Sequence, residues 1–273
     1  SANIQFSYKD FSGFNDIIND VNIHAIFRPT RFDLSDLAYF APSLKGMDEK
    51  INFAGELKGK VSNIKGKNFK FLYGKSTYFL GNFNVSGLPD IDGTYIHFNI
   101  KDFLTCQQDI ASFKYISQNQ VQYLSVTAEI VKLGNIRFSG AFTGFYNDFV
   151  ANGDFITDVG KISTDLTLRN NKKTNLTAYN GKVSASNFNL GYILSVPDEL
   201  GYVSLSADID GSGIDLENAS IKMKGNISSV DFRKYNYKNI KIEGDLAKRK
   251  FNGFMNINDK NVRTQKKFSR FGK

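Results

Sequence analysis

The sequence has no tryptophan, one cysteine and four prolines among 273 residues. The single cysteine, Cys106, excludes a disulfide framework within the chain. Because proline removes a hydrogen-bond donor from a sheet, so few prolines permit long uninterrupted strands. No apolar run approaches the roughly 18 residues of a membrane-spanning helix, and no signal peptide is visible at Ser1. If the protein is exported or anchored in a membrane, the signal or the anchor is expected outside this sequence.

The net charge of +8 is concentrated at one end of the chain. Five basic residues and no acidic residue lie in the final stretch: Arg263, Lys266, Lys267, Arg270 and Lys273. Removing these five charges leaves +3 for the rest of the chain, which is close to balanced. A basic tail of this kind favours a solvated, irregular segment over residues 263–273 rather than an anionic contact. We therefore expect no nucleic-acid partner.

Apolar residues and glycine occupy every second position over Ile51–Val61, INFAGELKGKV. The FSGAFTG of Phe138–Gly144 matches the FAGELKG of Phe53–Gly59 position by position. Side chains alternate across a strand, so this pattern predicts strands with one apolar and one polar face. Because glycine is a poor strand former, its recurrence on the apolar face predicts close backbone approach at Gly55, Gly59, Gly140 and Gly144.

The same two-residue period continues through most of the chain and predicts an all-β fold. We expect about fifteen to eighteen strands in one long, continuous, mostly antiparallel rolled sheet that holds more than half of the residues. The period changes near residues 33–45, 105–116 and 190–200, where short helices or loops are expected, and helix is expected only there. Residues 1–262 are predicted to form a single continuous β-groove segment, and the basic tail follows it.

Metal-ligating and catalytic signatures are weak. His24 and His97 fall on polar strand faces without a cysteine or a third histidine at ligand spacing, so we expect no metal site. Cys106 has no basic neighbour in the sequence to activate its thiol, which favours an inert side chain.

One stretch imitates the first half of an EF-hand calcium loop through Asp208, Asp210, Ser212 and Gly213. The twelfth position, Ala219, is not the glutamate that such a loop needs, and both flanks predict strands, so a hairpin turn is favoured. The sequence has no glycine-rich phosphate loop, nucleophile elbow or carboxylate pair. It therefore predicts a non-enzymatic protein without a cofactor.

The apolar strand face permits two interpretations. In most proteins such a face is core, and the pattern alone leaves that open. The alternative is a surface that solvates acyl chains, where each methylene contributes roughly 0.8 kcal/mol and a sixteen-carbon chain up to about 12 kcal/mol. Candidate residues for a lipid groove share this face: Phe53, Leu57, Val61, Phe79, Phe83, Phe138, Phe142, Val203 and Leu205.

A spaced pattern runs from Phe188 to Val262. Its residues are Phe188, Leu190, Gly191, Leu200, Gly201, Gly211, Gly213, Tyr235, Tyr237, Asn239, Ile240, Gly244, Phe251, Gly253, Asp259, Lys260 and Asn261. Together with the segments Thr77–Phe98 and Asp36–Leu44, this pattern resembles the TamB branch of the AsmA-like envelope proteins, in its Bacteroidota form. The resembling positions cover most of the chain as diffuse spacing and include no catalytic motif.

The resemblance implies a periplasmic, taco-like β-groove with an apolar interior. In this family the groove is held to conduct phospholipid between the inner and outer membranes and to support outer-membrane biogenesis as a translocation and assembly module. The implied partners are phospholipid or another acyl-chain lipid, an outer-membrane barrel protein of the assembly machinery, and adjoining segments of the full-length protein. The implied location is the periplasm of a Gram-negative bacterium, with the inner-membrane anchor outside this chain. After Asn261 the family expects a further strand, which RTQKKFSRFGK does not predict.

Two other classes of protein fit the alternation. A structural or adhesive surface protein with a stacked β architecture would use the same residues to fill its core. A fragment of an outer-membrane β-barrel would have similar strands of roughly ten residues.

Overall fold

A computed structural model describes residues 1–33, 35–36, 49–90, 92–117, 120–124, 126, 128–145, 147–171, 176–213, 219–248 and 250–271. Among the described residues, strands account for 70% and helices for 10%. Fifteen strands form one antiparallel sheet that is not closed. The predicted all-β class and the large antiparallel sheet are thus confirmed.

Residue contacts divide the chain into two compact units, Ser1–Tyr146 and Asn147–Lys273. The sequence, in contrast, predicts one segment over residues 1–262. The strands of unit 1 are β1 (Ala2–Ser7), β2 (Asn22–Asp33), β3 (Lys50–Lys60), β4 (Asn63–Tyr73), β5 (Thr77–Ser86), β6 (Tyr95–Thr105), β7 (Lys114–Ser117), β8 (Gln120–Tyr123) and β9 (Ile136–Phe145). In unit 1, strands β1 to β6 are neighbours in chain order and β9 lies beside β6. The pair β7–β8 forms a separate two-stranded sheet.

The strands of unit 2 are β10 (Asp148–Thr157), β11 (Gly160–Asn171), β12 (Leu176–Asn189), β13 (Leu200–Ser212), β14 (Ser220–Phe232), β15 (Tyr235–Ala247), β16 (Lys250–Asn258) and β17 (Arg263–Phe271). They are also neighbours in chain order. Exposure alternates residue by residue along these strands, so that apolar side chains share one face and charged side chains the other.

In the described part of the chain, four short helical segments interrupt the strands: a 3-10 helix at Phe11–Asp16, α1 (Gln107–Ser112), α2 (Ala128–Lys132) and α3 (Leu190–Ile193). Helices α1 and α3 confirm the predictions near residues 105–116 and 190–200. Most of the helix predicted near 33–45 falls outside the described residues. Its first residue, Asp33, is the last residue of β2.

The expectation that helix occurs only in those three places is wrong at two others. Asp10 caps the 3-10 helix, because its carboxylate accepts a hydrogen bond from the Ser12 backbone N–H at 2.9 Å. Helix α2 lies where the weak alternation of Val121–Val131 predicts a strand. Gly134, with φ of +69°, follows that helix, and its N–H donates to the Val131 carbonyl at 3.2 Å.

The prediction of an irregular tail is wrong over Arg263–Phe271, which forms β17. Its residues pair antiparallel with β16, with Thr264 opposite Ile257 and Lys266 opposite Met255. Lysine is compatible with strand β17, because the outer hydrogen-bonding edge of an edge strand lies in solvent. Basic residues there discourage pairing with a further strand. Charge composition alone therefore misses this strand.

Buried apolar side chains are few for a chain of this length. Those in the described residues are Val21, Ala25, Ile51, Phe53, Val61, Tyr73, Phe138, Phe188, Val203, Ala219 and Ile240. The chain exposes 17134 Å² of surface. A compact protein of 30.6 kDa exposes about 12,000 Å², and two compact proteins of half that mass expose about 14,000 Å² together. Much of the apolar strand face is therefore only partly covered.

Candidate functional site

The apolar face of unit 1 is built from rows of residues that lie opposite one another on neighbouring strands. Directly opposed residues of antiparallel strands project to the same side of the sheet. One row crosses six strands through Ala25, Leu57, Gly66, Phe83, Phe98 and Phe142. A second row runs through Thr30, Phe53, Phe71, Phe79, Phe103 and Phe138. The predicted candidates of unit 1 that lie within strands all fall in these two rows.

Phenylalanine rings contact one another in series along this face, and we call the series the phenylalanine row. Its members are Phe53, Phe69, Phe83, Phe98 and Phe142. Successive ring centroids lie 5.6, 5.2, 5.8 and 6.5 Å apart. These spacings fall in the range in which aromatic pairs attract each other. The row joins strands β3, β4, β5, β6 and β9 by their side chains as well as by their backbones.

Most of the phenylalanine row is accessible to solvent. Phe53 is buried at one end of the row, where the Phe27 ring packs edge-on against it at 4.7 Å. Phe69, Phe83 and the two members beyond them are partly exposed. The face therefore has a buried end, near Phe53, and an accessible stretch across β4 to β9.

The remaining unit 1 candidates divide in the same way. Leu57 and Phe79 lie on the apolar face and are partly exposed, and the Phe79 ring lies 5.9 Å from that of Phe98. Phe138 is buried. Val61 is also buried, but it lies in the turn after β3 rather than on a strand, so its assignment to a strand face is wrong.

Of the four glycines predicted to permit close backbone approach, Gly55 and Gly59 do so. A Cβ atom at Gly55 would lie 2.8 Å from the Phe69 Cα, and one at Gly59 would lie 2.3 Å from the Asn63 carbonyl oxygen. Gly55, Gly59, Gly140 and Gly144 all have positive φ, at 137°, 126°, 157° and 138°. Such φ values are strained for residues with a side chain.

Phe27, Phe69 and Phe98 also lie on this face but are not among the nine predicted candidates. For Phe69 the cause is an irregularity, because the pairing of β4 with β5 shifts between Gly66 and Phe69. Asn68, with φ of +48°, occupies the bulge and keeps Phe69 on the apolar side. The asparagine in the middle of an apolar alternation is the signal that reveals this bulge.

Unit 2 has its own apolar face, which is mainly aliphatic. One row crosses five strands through Ala185, Leu205, Ile227, Ile240 and Ile257. Of the two candidates in this unit, Val203 is buried and Leu205 is partly exposed. Eight of the nine candidates therefore belong to two faces, six in unit 1 and two in unit 2, while Val61 lies in a turn.

The opposite face of each unit is polar and is organised by cross-strand charge pairs. In unit 1 the Arg137 guanidinium donates two hydrogen bonds of 2.7 Å to the Asp102 carboxylate, which lowers the pKa of that carboxyl. In unit 2 the Lys224 ammonium lies 3.1 Å from the Glu243 carboxylate on the neighbouring strand β15, and Lys224 is opposite Asp208 on its other neighbour, β13. Opposite charges in register keep this face solvated and fix the strand pairing.

The residues that resemble part of a calcium loop are not in a loop. Asp208 and Asp210 lie inside β13, so the predicted hairpin turn is wrong for them. Asp210 accepts a hydrogen bond of 2.9 Å from the Asn180 amide across to β12. Both histidines have polar neighbours on their strand faces, with His24 2.8 Å from Glu56 and His97 2.8 Å from Thr143.

The most shielded carboxylate of unit 1, Asp109, has a structural role. It is 3% exposed, at the start of α1, and accepts hydrogen bonds from the backbone N–H groups of Lys75, Ser76 and Thr77 at 2.7 to 2.9 Å. Burial alone would raise the pKa of Asp109, but these hydrogen bonds outweigh it and lower the pKa to about 2. The carboxylate thereby holds α1 against the β4–β5 hairpin. Near it, Cys106 accepts a hydrogen bond from the Ser76 hydroxyl at 3.1 Å.

A second buried carboxylate accounts for part of the family-like pattern. Asp259 accepts hydrogen bonds from the Tyr235 hydroxyl at 2.6 Å and from the backbone N–H groups of Lys238 and Asn261 at 3.0 Å. The Tyr235 hydroxyl and these backbone donors lower the pKa of Asp259. Gly191 is required by packing, because a Cβ there would lie 1.5 Å from the Leu200 carbonyl oxygen. These positions of the pattern therefore stabilise the ends of strands.

Within the described residues, no group of three or more histidine, cysteine, aspartate or glutamate side chains is placed to hold a metal ion. No helix among those residues is both long and apolar enough to cross a membrane. No family model, no curated protein and no solved structure matches this chain.

Proposed function

We propose that this chain is a non-enzymatic segment of a lipid-conducting groove whose apolar strand faces carry acyl chains. In this proposal it forms part of a periplasm-spanning conduit that moves phospholipid between the inner and outer membranes and supports outer-membrane biogenesis, as the resemblance to the TamB branch implies. The observation that carries the proposal is the phenylalanine row, which is continuous across β3 to β9 and only partly covered.

The dimensions of the row suit an acyl chain. Its five strands are neighbours in the sheet, and with about 4.8 Å between neighbours they extend about 19 Å across the strands. One leaflet of a bilayer has a hydrocarbon layer of about 15 Å, half of the full core. The accessible stretch from β4 to β9 accounts for three of these spacings, about 14 Å, so an acyl chain finds apolar contact along nearly its whole length there.

The energetics favour occupation by an apolar ligand. Each methylene that leaves water for an apolar environment contributes roughly 0.8 kcal/mol. Partly exposed rings such as Phe83 and Phe98 still have apolar area available for such a contact. The charged pairs on the opposite face keep that side in water, so a lipid has one side of the sheet to bind.

One buried cluster of side chains favours the alternative, a structural protein with a filled core. Ile51, Phe53 and Tyr73 form a buried cluster. Five partly buried rings pack against it: Phe27, Phe32, Phe69, Phe71 and Phe113. This cluster lies at the Phe53 end of the row and leaves the stretch toward Phe142 accessible, so we assign it to the stabilisation of the groove end.

The direct test is whether the purified protein retains lipid. We expect phospholipid or fatty acid to survive chromatography and to be detected by mass spectrometry. Phe142→Asp places an unpaired charge on the accessible part of the row, which strongly disfavours an apolar ligand, and should abolish bound lipid. Two matched variants place a carboxylate on the polar face: Ala141→Asp, adjacent in β9, and Lys58→Asp in β3.

Both control variants should retain nearly all of the lipid, because neighbouring strand residues project to opposite faces. Circular dichroism should show that all three variants keep their strand content. Retention of lipid by Phe142→Asp, or a wild-type protein without lipid, would contradict the proposal and favour the filled core.

A further inference from the structure

The polar faces of the two units differ in how their lysines are neutralised. In unit 2 Lys224 lies between two acids, because Asp208 is opposite it on one side and Glu243 on the other. Lys182 and Lys222 each lie between two aspartates in the same way. Opposite charges in directly opposed positions stabilise a sheet, whereas like charges destabilise it. The lysines of unit 2 are thus neutralised within the sheet.

The hairpin of β3 and β4 in unit 1 lacks this neutralisation. Its strands, KINFAGELKGK and NIKGKNFKFLY, contain six lysines and one acid, Glu56. Lys58 is directly opposite Lys65, and its other neighbour is His24. The other neighbour of Lys65 is Asn84, whose Oδ1 atom is buried and accepts no hydrogen bond within the described residues. Neither lysine of this opposed pair has an acid beside it on a neighbouring strand.

Two further lysines extend the pair on the same polar face. Lys67 lies two residues beyond Lys65 on β4, and the Lys101 ammonium lies 3.5 Å from the Oδ1 atom of Asn68, the residue after Lys67. We call these four residues the lysine cluster: Lys58, Lys65, Lys67 and Lys101. All four are exposed, and none forms an ion pair with another described residue.

One acid lies beside the lysine cluster and leaves it strongly positive. Glu56 is opposite Lys67, but its carboxylate lies 2.8 Å from the His24 Nε2 atom instead. Four lysines less one glutamate give this area a net charge of +3. A sheet that keeps like charges opposed loses stability, and such losses are typical of binding sites.

We propose that the lysine cluster binds a compact anion that carries adjacent phosphate groups. Opposed residues have Cβ atoms about 5 Å apart, and residues two apart on a strand lie about 7 Å apart, so flexible lysine stems can converge on neighbouring phosphates. Lysine binds phosphate as a point charge, and a phosphate monoester carries close to two negative charges at neutral pH where a carboxylate carries one. This inference is independent of the proposed function, because the cluster and the phenylalanine row lie on opposite faces.

Acids on both sides of the cluster favour a compact anion over a planar anionic surface. Beyond one end of the hairpin, Asp10 and Asp20 line a cavity together with Lys60. Toward β9, the Asp102 carboxylate lies on the polar face and is bound by Arg137. A flat membrane surface would approach these carboxylates as well as the lysines, whereas a small anion contacts the lysines alone. Adjacent phosphates occur on soluble molecules and on lipid headgroups, and the experiments below distinguish these sources.

The first experiment is calorimetric titration of the whole chain with inorganic tripolyphosphate. Wild-type protein should bind it at one site. The double variant Lys58→Gln, Lys65→Gln should weaken binding about tenfold or more, because it removes the two opposed charges. Its control, Lys222→Gln with Lys224→Gln, removes the same charge from unit 2 and should leave binding nearly unchanged. A wild type that does not bind, or equal weakening by both double variants, would overturn the proposal.

Further titrations identify the class and source of the anion. Glu56→Gln should strengthen tripolyphosphate binding, and citrate, a tricarboxylate, should bind the wild type more weakly than tripolyphosphate. Vesicles that contain phosphatidylglycerol should bind only if headgroup phosphates can also serve, and tripolyphosphate should then displace them. Equal affinity for citrate, or binding to vesicles without binding to tripolyphosphate, would overturn the assignment to a compact phosphate anion.

Thermal unfolding without any anion separates binding from folding. Lys58→Gln should raise the melting temperature, because it removes the repulsion from Lys65. Lys224→Gln should lower it, because that lysine loses two acidic partners. A Lys58→Gln protein that is less stable than the wild type would show that Lys58 serves the fold, and the argument for an anion site would fail.

Discussion

At the scale of single residues, two shielded carboxylates stabilise the ends of strands. Asp109 binds three successive backbone N–H groups of the β4–β5 turn, and Asp259 binds two backbone N–H groups and a tyrosine hydroxyl. Neither role follows from the sequence, because the partners of Asp109 lie more than thirty positions away. The alternation pattern predicts faces of strands, and it contains no information on which carboxylate meets which turn.

Asp109 leads to a prediction about pH. Its pKa is lowered from 3.8 to about 2 on folding, so its contribution to stability is fully present above the unfolded value and is lost as pH falls through the folded one. The shift corresponds to about 2.5 kcal/mol. Asp109→Asn should lower the free energy of unfolding by about that amount at pH 7. Urea denaturation at several pH values measures the difference.

The difference between wild type and Asp109→Asn should shrink from about pH 4 downward and nearly vanish below pH 2. Asp245→Asn, an exposed aspartate on the polar face of β15, serves as the control and should change stability little. A destabilisation by Asp109→Asn that is the same at pH 7 and pH 2 would show that the carboxylate charge is not the cause.

At the scale of elements, the sequence predicted the regular strands of unit 1 better than the irregular ones. On β5 and β9 the apolar face follows every second residue, and the candidates Phe79, Phe83, Phe138 and Phe142 lie on it. On β4 the register shifts between Gly66 and Phe69, and Phe69 follows the shift, whereas Phe27 and Phe98 precede the shifts of β2 and β6 and keep the two-residue period. A bulge reverses the face that alternation assigns, so a rule with a fixed period fails beyond it.

Short elements escaped prediction for a different reason. Helix α2 has five residues, fewer than two turns, so it has no room for an apolar periodicity of its own. Strand β17 has the composition of a solvated tail, and its conformation is set by hydrogen bonds to β16. In both elements tertiary pairing or capping decides the structure, and local composition does not.

The glycines of β3 and β9 lead to a prediction that separates packing from ligand binding. A Cβ at Gly55 would meet the Phe69 Cα at 2.8 Å, so Gly55→Val should cost more than about 2 kcal/mol of stability. Gly140 lies on the apolar face opposite Ile100. We expect Gly140→Val, whose positive φ also brings backbone strain, to lower the amount of bound lipid more than it lowers stability, because its methyl groups occupy space on the face. Thermal unfolding and lipid quantification measure the two effects.

The glycine prediction has its control within the pair of variants. Should Gly140→Val lose lipid and stability in the same proportion as Gly55→Val, the glycines of both strands would serve ordinary core packing. Loss of lipid with most of the stability retained supports a ligand on the face.

At the scale of the whole molecule, the large exposed area connects the fold to its proposed use. A soluble protein with a filled core would bury the rows that run through Phe98 and through Ile227, whereas both residues remain partly exposed. The sequence indicated this arrangement only through its abundance of phenylalanine in a strand pattern, which is equally compatible with a core. A filled core and an exposed apolar face differ in the number of layers of structure that cover the apolar side of the sheet. That number depends on packing between distant segments of the chain.

The last prediction follows from this exposed area. Protein freed of lipid on a hydrophobic resin should bind the dye ANS, because apolar surface is accessible. A sixteen-carbon fatty acid should displace the dye and raise the melting temperature. A ligand that binds only the folded state stabilises it by about 2.7 kcal/mol at one hundred times its Kd, which corresponds to about 5 to 10 °C for a chain of this size. Ala141→Asp should respond like the wild type and Phe142→Asp much less. Delipidated protein that neither binds the dye nor responds to the fatty acid would have a covered apolar face, and the filled-core alternative would then account for the sheet.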